Sequence, residues 1–268
     1  MDWLPQHSTA AAEAATLEMA VSQAVSRGEV GVHFQPVVNV VEHRVDGFES
    51  LVRLGGAAGN LQVEQIIAAS NQLGLTPHLA EVVFDLALSE GKALRKRLPA
   101  ARIGVNISRQ FLATGLAIDT VVRCAGKAGL PLSEVVVELT EDVAAGLTAE
   151  LLVTELRRAA GLGLRMVIDD FGTGETSLAL LRTLPLAAIK LDRSLVPVDD
   201  DARAWNFLES TASLLRNLTD DLVAEGVESA FQSRRLAELG IGLQQGYLFG
   251  RPEPSEHWLA QPVPFPAQ

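Results

Sequence analysis

Short apolar runs alternate with amphipathic helical segments along most of this chain. Runs such as Val135-Val136-Val137 and Met166-Val167-Ile168 have the continuous apolar character of strands buried on both faces. Between such runs, apolar residues recur at i, i+3, i+4 and i+7, which predicts helices. The helical segments are 17–24, 63–73, 79–98, 118–128, 149–160, 204–215 and 231–239. The order of runs and segments therefore predicts a βα alternation.

Turn signals agree with that alternation. Glycines follow several helical segments at the place of a left-handed C-cap residue, before the next strand begins. They are Gly74, Gly129, Gly163 and Gly240. From residue 106 to residue 245 the predicted strand ends recur at spacings of roughly 20 to 35 residues, the length of one βα unit.

The first two strand-like segments, 30–40 and 43–54, break this rhythm. Parallel strands need a crossover of about a dozen residues or more, so these neighbours are expected to pair as an antiparallel hairpin. We therefore expect an α/β barrel with one irregular strand, and keep an open α/β sheet as the alternative.

The length of 268 residues and the 48% hydrophobic content suit a single barrel domain. Residues 1–16 are rich in Ala, and residues 261–268 are rich in Pro. We predict that both segments are appendages to a barrel formed by residues 17–260.

The bulk chemistry excludes several classes of protein. A net charge of -11 argues against binding of polymeric nucleic acid, which needs clustered Lys and Arg. The single Cys124 excludes an internal disulfide. No apolar run reaches the roughly 18 residues of a membrane span, and the acidic start, with Asp2 and Glu13, is unlike a secretory signal. We expect a cytoplasmic protein without a membrane segment.

Polar residues close many of the apolar runs, and most of them are acidic. Parallel strands of a barrel would bring these side chains to one rim, where so many carboxylates cannot all ionise unaided. Hard oxygen ligands of this kind suit Mg²⁺ or Mn²⁺, and the adjacent Asp169 and Asp170 fit a bridging ligand and its neighbour. The set is Glu49, Asn106, Glu138, Asp169, Asp170 and Glu225.

Each residue also has a simpler interpretation. Glu49 could be a helix N-terminal charge, and Asn106 could belong to a helix cap. Glu138 could begin a helix-start motif, Lys190 could pair with Asp192, and Gln245 could belong to a turn. Recurrence at six or more strand ends favours a functional site, because capping does not require it.

The segment Asp170-Phe171-Gly172 resembles the metal-binding tripeptide of protein kinases. No glycine-rich nucleotide loop or H-R-D loop accompanies it, so the kinase interpretation is rejected. The following Gly172-Thr173-Gly174 is interpreted as a tight, mobile loop over a site.

Taken together, these segments resemble the EAL-domain family of bacterial cyclic di-GMP phosphodiesterases, from about residue 17 to residue 258. The resemblance rests on eight motifs in order: Phe34-Gln35-Pro36, Glu49-Ser50-Leu51-Val52-Arg53, Val105-Asn106-Ile107-Ser108, Glu138-Leu139-Thr140-Glu141, Asp169-Asp170-Phe171-Gly172-Thr173-Gly174, Ile189-Lys190-Leu191-Asp192, Ala224-Glu225-Gly226-Val227-Glu228 and Gln245-Gly246-Tyr247.

The resemblance implies a TIM-like (β/α)8 barrel with an antiparallel first strand, and hydrolysis of cyclic di-GMP to linear pGpG. It also implies two divalent cations, Mg²⁺ or Mn²⁺. By motif, one cation would be held by Glu49, Asn106, Glu138 and Asp169. The second would be held by Asp169, Asp170 and Glu225.

The resemblance assigns roles to further residues. Lys190 would orient or help to activate the attacking water, acting with Glu49 and Glu225 as the catalytic residues. Substrate contacts would come from Gln35, Arg53 and Gln245. Residues supporting the loop or standing behind the metal ligands would be Glu141, Glu228 and Asp192.

The chain departs from the family pattern at three places. Ser50 replaces the usual Ala beside a metal ligand, where we expect a tuning effect at most. Glu175 stands where an aromatic residue often follows the Gly-Thr-Gly loop, which affects loop ordering or substrate affinity. Ser70-Asn71-Gln72 replaces an Ala-Glu-Glu stretch in a peripheral helix.

Three functions are therefore weighed. The leading one is an active phosphodiesterase, because the full ligand set is retained. The second is a cyclic di-GMP receptor with weak or no turnover. The third, a Schiff-base aldolase with Lys190 as nucleophile, leaves the carboxylates unexplained.

The resemblance also suggests a homodimer, and regulation is expected from a partner protein or a sensor domain outside this sequence.

Overall fold

The structure, a computed structural model, describes residues 6–141, 148–174 and 177–265. Eight strands form a closed barrel in chain order. They are β1 (Val30–Asn39), β2 (Arg44–Leu54), β3 (Arg102–Asn106), β4 (Val135–Thr140), β5 (Arg165–Phe171), β6 (Leu186–Leu191), β7 (Asp221–Ala224) and β8 (Leu243–Gln245).

The first strand is the irregular one. β1 pairs antiparallel with β2, from Val30 opposite Leu54 to Asn39 opposite Arg44, and antiparallel with β8. All other neighbouring strands are parallel. The predicted TIM-like barrel with an antiparallel first strand is confirmed, and the open sheet is excluded.

Helices surround the barrel, most of them between successive strands from β2 to β8. They are α1 (Gln6–Ser26), α2 (Val63–Gln72), α3 (Thr76–Arg97), α4 (Arg109–Ala113), α5 (Ala117–Ala128), α6 (Ala149–Gly161), α7 (Leu178–Leu181), α8 (Ala202–Leu215), α9 (Ala230–Glu238) and α10 (Ser255–Ala260). Helix α1 crosses residue 17, where the barrel domain was predicted to begin. The division into extension, barrel and tail stays a prediction.

Helix α5 shows how the sequence sets these elements. Its buried residues include Ile118, Val121 and Ala125, which lie on one face at three- and four-residue spacing. Gly129 ends the helix with a φ of 69°, in the left-handed region that glycine enters without steric cost. The predicted glycine cap therefore stops the helix before β4.

The main core lies between the barrel wall and the helices. Phe34, Phe48 and Ile103 from the strands pack with Phe84 and Leu88 from α3, all at most 1% exposed. Complete burial of such a side chain stabilises the fold by about 1.5–3 kcal/mol. The core therefore fixes the strand ends that carry the site.

A second apolar cluster joins α1 to the wall of the barrel. Val21 and Ala24 of α1 pack with Leu54 at the end of β2 and with Ile66 and Ala69 of α2.

Among the described residues, no helix is long and apolar enough to cross a membrane.

Part of the Pro-rich segment also packs against the barrel. Val263 is buried in the main core, and the ring of Phe265 lies 6.2 Å from the ring of His43, in the β1–β2 turn. The start of the predicted tail therefore contributes to the fold.

Candidate metal centre

The C-terminal ends of the parallel strands bring the predicted site residues to one rim. The contributing side chains are Glu49 of β2, Asn106 of β3, Glu138 of β4, Asp169 and Asp170 of β5, Lys190 of β6, and Glu225 directly after β7. In a TIM-type barrel this rim is where catalytic groups are found.

Lys190 lies at the centre of this cluster and is only 2% exposed. Its Nζ lies 2.9 Å from Glu49 Oε2, 2.9 Å from Glu138 Oε2, 3.0 Å from Asp169 Oδ1 and 2.8 Å from Glu225 Oε1. The simpler interpretation, in which Lys190 pairs with Asp192, is wrong. Asp192 Oδ1 accepts a hydrogen bond from the Ser194 N–H instead.

The carboxylates form two groups that share one residue. Glu49, Glu138 and Asp169 offer oxygens within 4.8 Å of one another, and so do Asp169, Asp170 and Glu225. These groups coincide with the two predicted sets of acidic metal ligands, and Asp169 belongs to both. A shared carboxylate can bridge two cations.

Backbone geometry explains how adjacent aspartates contribute to one group. Successive strand residues ordinarily point to opposite faces of a sheet. Asp170 has a φ of 55°, and the β5–β6 ladder is irregular between Ile168 and Phe171. The Asp170 N–H also donates to Asp169 Oδ1 at 3.0 Å. The break in the strand therefore lets both carboxylates reach the cluster.

Burial and mutual repulsion shift the proton affinities of the acids. Burial, together with the charges of Glu49 and Asp169, raises the pKa of Glu138 to about 8, and burial raises the pKa of Asp170 to about 6. Burial likewise raises the pKa of Glu225 well above its ordinary value. One ammonium group therefore does not neutralise this set of acids.

The pKa of Lys190 is also raised, but by a different cause. Burial alone would lower the pKa of its ammonium group, but the surrounding carboxylates, led by Asp169 and Glu138, raise it well above the ordinary value. Lys190 is therefore protonated and acts as a hydrogen-bond donor.

The donor chemistry fits divalent cations. Two groups of buried or half-buried carboxylate oxygens provide hard anionic ligands of the kind that Mg²⁺ and Mn²⁺ prefer. Asn106 Nδ2 donates to Glu49 Oε1 at 2.9 Å, which leaves the amide oxygen of Asn106 for a cation. Burial and the neighbouring carboxylates raise the pKa values of Glu138 and Glu225, and bound cations would favour the ionised forms of both acids.

Two glutamines extend the network around Glu49. Gln245 Nε2 donates to Glu49 Oε2 at 2.8 Å and to Gln35 Oε1 at 3.1 Å. Gln35 Nε2 in turn donates to the Gly250 carbonyl at 3.2 Å. Both predicted substrate-contact glutamines therefore lie next to the carboxylate cluster, where Gln245 also holds Glu49 in place.

Glu141 fastens the loop that follows β5. Its buried Oε2 accepts hydrogen bonds from the backbone N–H groups of Gly172 and Gly174, each at 2.9 Å. This geometry suits the predicted role of an acid that secures the loop. Glu175, one of the departures from the family pattern, lies outside the described residues.

A cleft of about 960 Å³ opens over the cluster. Gln35, Glu49, Asn106 and Asp169 line it, and its volume is near the upper end of ordinary small-ligand pockets. The cleft is large enough for a dinucleotide.

Two of the three other predicted residues line this cleft. Arg53, which follows the cleft-lining Val52, is half-buried, donates to the Val52 carbonyl at 2.8 Å, and has its pKa lowered by burial. Asp192 and Glu228 line the cleft. Among the described residues, no ion pair links Asp192 or Glu228 to Lys190.

The cleft includes side chains that the sequence did not single out. Glu64 and Ile67 of α2 form part of one wall, and Arg109 and Arg193 also line it. Arg109 and Arg193 follow the strand-end motifs almost directly, which is a signal that could have identified them. Nothing in the periodicity of α2 distinguished its cleft-facing residues.

A closed barrel with a carboxylate cluster at the C-terminal rim defines an α/β-barrel protein suited to divalent metals. The EAL domain family model matches residues 18–252, and the chain belongs to this family. This finding confirms the resemblance predicted from the motifs.

Named relatives and a solved structure agree with this family assignment. Cyclic di-GMP phosphodiesterase NbdA of Pseudomonas aeruginosa is 32% identical over 89% of this chain and 31% of NbdA. Cyclic di-GMP phosphodiesterase RocR of the same species is 33% identical over 89% of this chain and 61% of RocR. A structure described as the PaMucR phosphodiesterase in complex with c-di-GMP has a TM-score of 0.82 and 30% identity, covering 90% of this chain and 98% of that one.

The chain is much shorter than the proteins it resembles. It spans about a third of NbdA and of MucR from Pseudomonas aeruginosa.

Proposed function

We propose that this chain is a metal-dependent phosphodiesterase that hydrolyses cyclic di-GMP to linear pGpG. The observation that carries the proposal is the pair of carboxylate groups sharing Asp169, below a cleft of dinucleotide size. A receptor needs only the cleft, whereas the double carboxylate set suits hydrolysis by two cations.

The reaction adds water to one phosphodiester. The water oxygen bonds to phosphorus, the bond from phosphorus to the ribose 3′-oxygen breaks, and that oxygen takes up a proton. When bound by the six predicted ligands, Mg²⁺ or Mn²⁺ would lower the pKa of water and offset charge on the phosphoryl oxygens.

The protein's own residues position the reactants. Because Lys190 is protonated, it would orient the attacking water and balance negative charge rather than accept a proton. Glu49 remains ionised, since Lys190, Asn106 and Gln245 lower its pKa although burial opposes this effect. Glu225, 2.8 Å from Lys190 Nζ, completes the predicted catalytic set.

The polar residues around the cluster would bind the dinucleotide. Arg53 is the proposed phosphate contact, since its guanidinium group lies near Glu49, whose charge acts on it. Gln35 and Gln245 are proposed to contact the substrate, since both line the cleft. Local positive charge would then bind an anionic ligand in a protein whose net charge is -11.

Incubation of the purified chain with cyclic di-GMP and Mg²⁺ or Mn²⁺, followed by chromatography, tests the proposal. We expect pGpG to accumulate and a chelator to stop its formation. Saturable binding of cyclic di-GMP without any pGpG would instead establish the receptor alternative.

Substitution of the ligands tests the site. Glu49→Ala and Glu225→Ala should each lower turnover by at least about 100-fold, because each removes a proposed metal ligand. Glu209→Ala is the matched control, since Glu209 is exposed on α8. Unchanged turnover in the first two variants would refute the site assignment.

The homodimer, the cytoplasmic location and control by a partner or sensor domain stay predictions. Light scattering of the purified chain measures its oligomeric state directly. A mass equal to one chain at micromolar concentration would contradict the dimer.

A further inference from the structure

Ser50 makes a cross-strand hydrogen bond at the end of the β2–β3 seam. The paired residues of these strands run from Gly47 opposite Arg102 to Glu49 opposite Gly104, where the described ladder ends. One residue further on, Ser50 Oγ donates to the Gly104 carbonyl at 2.6 Å. Ser50 is only 3% exposed, so this hydroxyl bond is shielded from water.

Metal-ligand candidates flank both ends of this bond. Glu49 precedes Ser50, and Asn106 lies two residues beyond Gly104. The two side chains meet, because Asn106 Nδ2 donates to Glu49 Oε1 at 2.9 Å. A small separation of β2 from β3 would therefore pull Glu49 away from Asn106.

Gly104 connects the same seam to a third ligand. A Cβ at this position would lie 2.3 Å from Glu138 Oε1 and 3.5 Å from Glu49 Cα. The Glu138 carboxylate therefore occupies the space that a side chain at Gly104 would fill. Movement of Gly104 relative to β2 would change the distance between Glu49 and Glu138.

We propose that Ser50 is a positioning residue. Its hydroxyl bonds β2 to β3 beyond their last paired residues, and so sets the spacing of Glu49, Asn106 and Glu138. The inference rests on the proposed function, because the spacing matters for cation binding and for turnover. Buried groups that hold metal ligands in place typically change metal affinity by about 10–100-fold when they are removed.

Ser50→Ala tests the inference, with Ser255→Ala as the matched control. Ser255 is 4% exposed, and its Oγ donates to Glu90 Oε2 at 2.8 Å, in a bond between α10 and α3. Both variants remove the side-chain hydrogen bond of a buried serine, but only Ser50 lies beside the proposed ligands. Mn²⁺ affinity is measured by calorimetry, and kcat and KM with cyclic di-GMP are measured separately.

We expect Ser50→Ala to weaken Mn²⁺ binding by about tenfold and to lower kcat at a fixed subsaturating Mn²⁺ concentration, with KM for cyclic di-GMP almost unchanged. Ser255→Ala should retain the Mn²⁺ affinity of the parent chain, although its thermal midpoint falls. Equal Mn²⁺ affinities in Ser50→Ala and the parent would overturn the inference. A parent chain that neither binds Mn²⁺ nor forms pGpG would refute the proposed function, and with it the inference that rests on that function.

Discussion

The ammonium group of Lys190 lies 2.8 Å from the carboxylate of Glu225, and the side chains are 3% and 16% exposed, respectively. Three further carboxylates surround the same ammonium group at 2.9–3.0 Å. A lysine so placed supplies positive charge to a set of acids that would otherwise repel one another. Its charge is therefore expected to matter for stability as well as for turnover.

Lys190→Met should destabilise the chelator-treated protein by about 3–5 kcal/mol, because buried carboxylates lose their cationic partner. Added Mn²⁺ should recover part of this loss by restoring positive charge among the acids. Urea unfolding with chelator and with Mn²⁺ measures both effects. Turnover should fall by at least about 100-fold, since the donor to the attacking water is lost.

Lys127→Met is the control for this substitution. Lys127 pairs with Asp85 at 2.8 Å, but its side chain is 53% exposed, so water and salt screen the pair. The control should unfold at nearly the urea concentration of the parent. A similarly small effect for Lys190→Met would contradict the central role of its charge.

Gly104→Ala should disturb Glu138 directly. The added Cβ would lie 2.3 Å from Glu138 Oε1, so the carboxylate must move. We expect kcat to fall by at least about tenfold, because proposed metal ligands act within narrow distance limits. Steady-state kinetics with cyclic di-GMP measures the change.

Gly126→Ala gives the matched comparison. Gly126 lies inside α5, and nothing lies within 4 Å of an added Cβ. This substitution should leave kcat unchanged and stabilise the helix by about 0.5–1 kcal/mol. Full activity of Gly104→Ala would show that Glu138 tolerates displacement.

The grouping of the candidate site residues was predictable where a residue stands at a strand end. Glu49, Glu138 and Asp169 close apolar runs, and the barrel necessarily brings such positions to one rim. The helix ends were also predictable, because Gly129 needs a left-handed conformation that other residues avoid.

The contacts within the site were not predictable from local pattern. Ser50 bonds to a carbonyl 54 residues away, and Lys190 meets Glu49 across 141 residues. No periodicity encodes such distances, so Lys190 could equally have paired with the nearby Asp192. The break in β5 that turns Asp170 toward the cluster could not be predicted either. It is an irregularity in the pairing of β5 with β6, and the apolar run that forms β5 gives no sign of it.

Glu141→Ala should loosen the loop after β5. The substitution removes the oxygen that accepts from the N–H groups of Gly172 and Gly174, and hydrogen bonds to a charged acceptor contribute about 1.5–3 kcal/mol each. Amide hydrogen exchange across 171–174 should accelerate by at least about tenfold. Glu209→Ala should leave exchange there unchanged, and equally slow exchange in both variants would show that Glu141 does not hold the loop.

The raised acid pKa values predict an unusual dependence of stability on pH. Burial raises the pKa of Glu138 from 4.5 to about 8 and the pKa of Asp170 from 3.8 to about 6. Between about pH 5 and pH 8 the folded protein therefore retains protons that the unfolded chain has released. Under this condition the free energy of unfolding falls as the pH rises, by up to about 1.4 kcal/mol per pH unit for each retained proton.

Divalent cations should reverse this trend. A bound cation requires ionised carboxylates, so Mn²⁺ binding near pH 7 should release protons, and Mn²⁺ affinity should increase up to about pH 8. Calorimetry in two buffers with different ionisation heats counts the released protons, and urea unfolding with chelator gives the metal-free slope. Glu138→Gln carries no titrating group at this position, so it should release fewer protons and flatten the slope. A chelator-treated parent protein that becomes more stable from pH 5 to pH 8 would contradict the raised pKa values of these acids. The free energy of unfolding falls with rising pH only where the folded protein binds more protons than the unfolded chain.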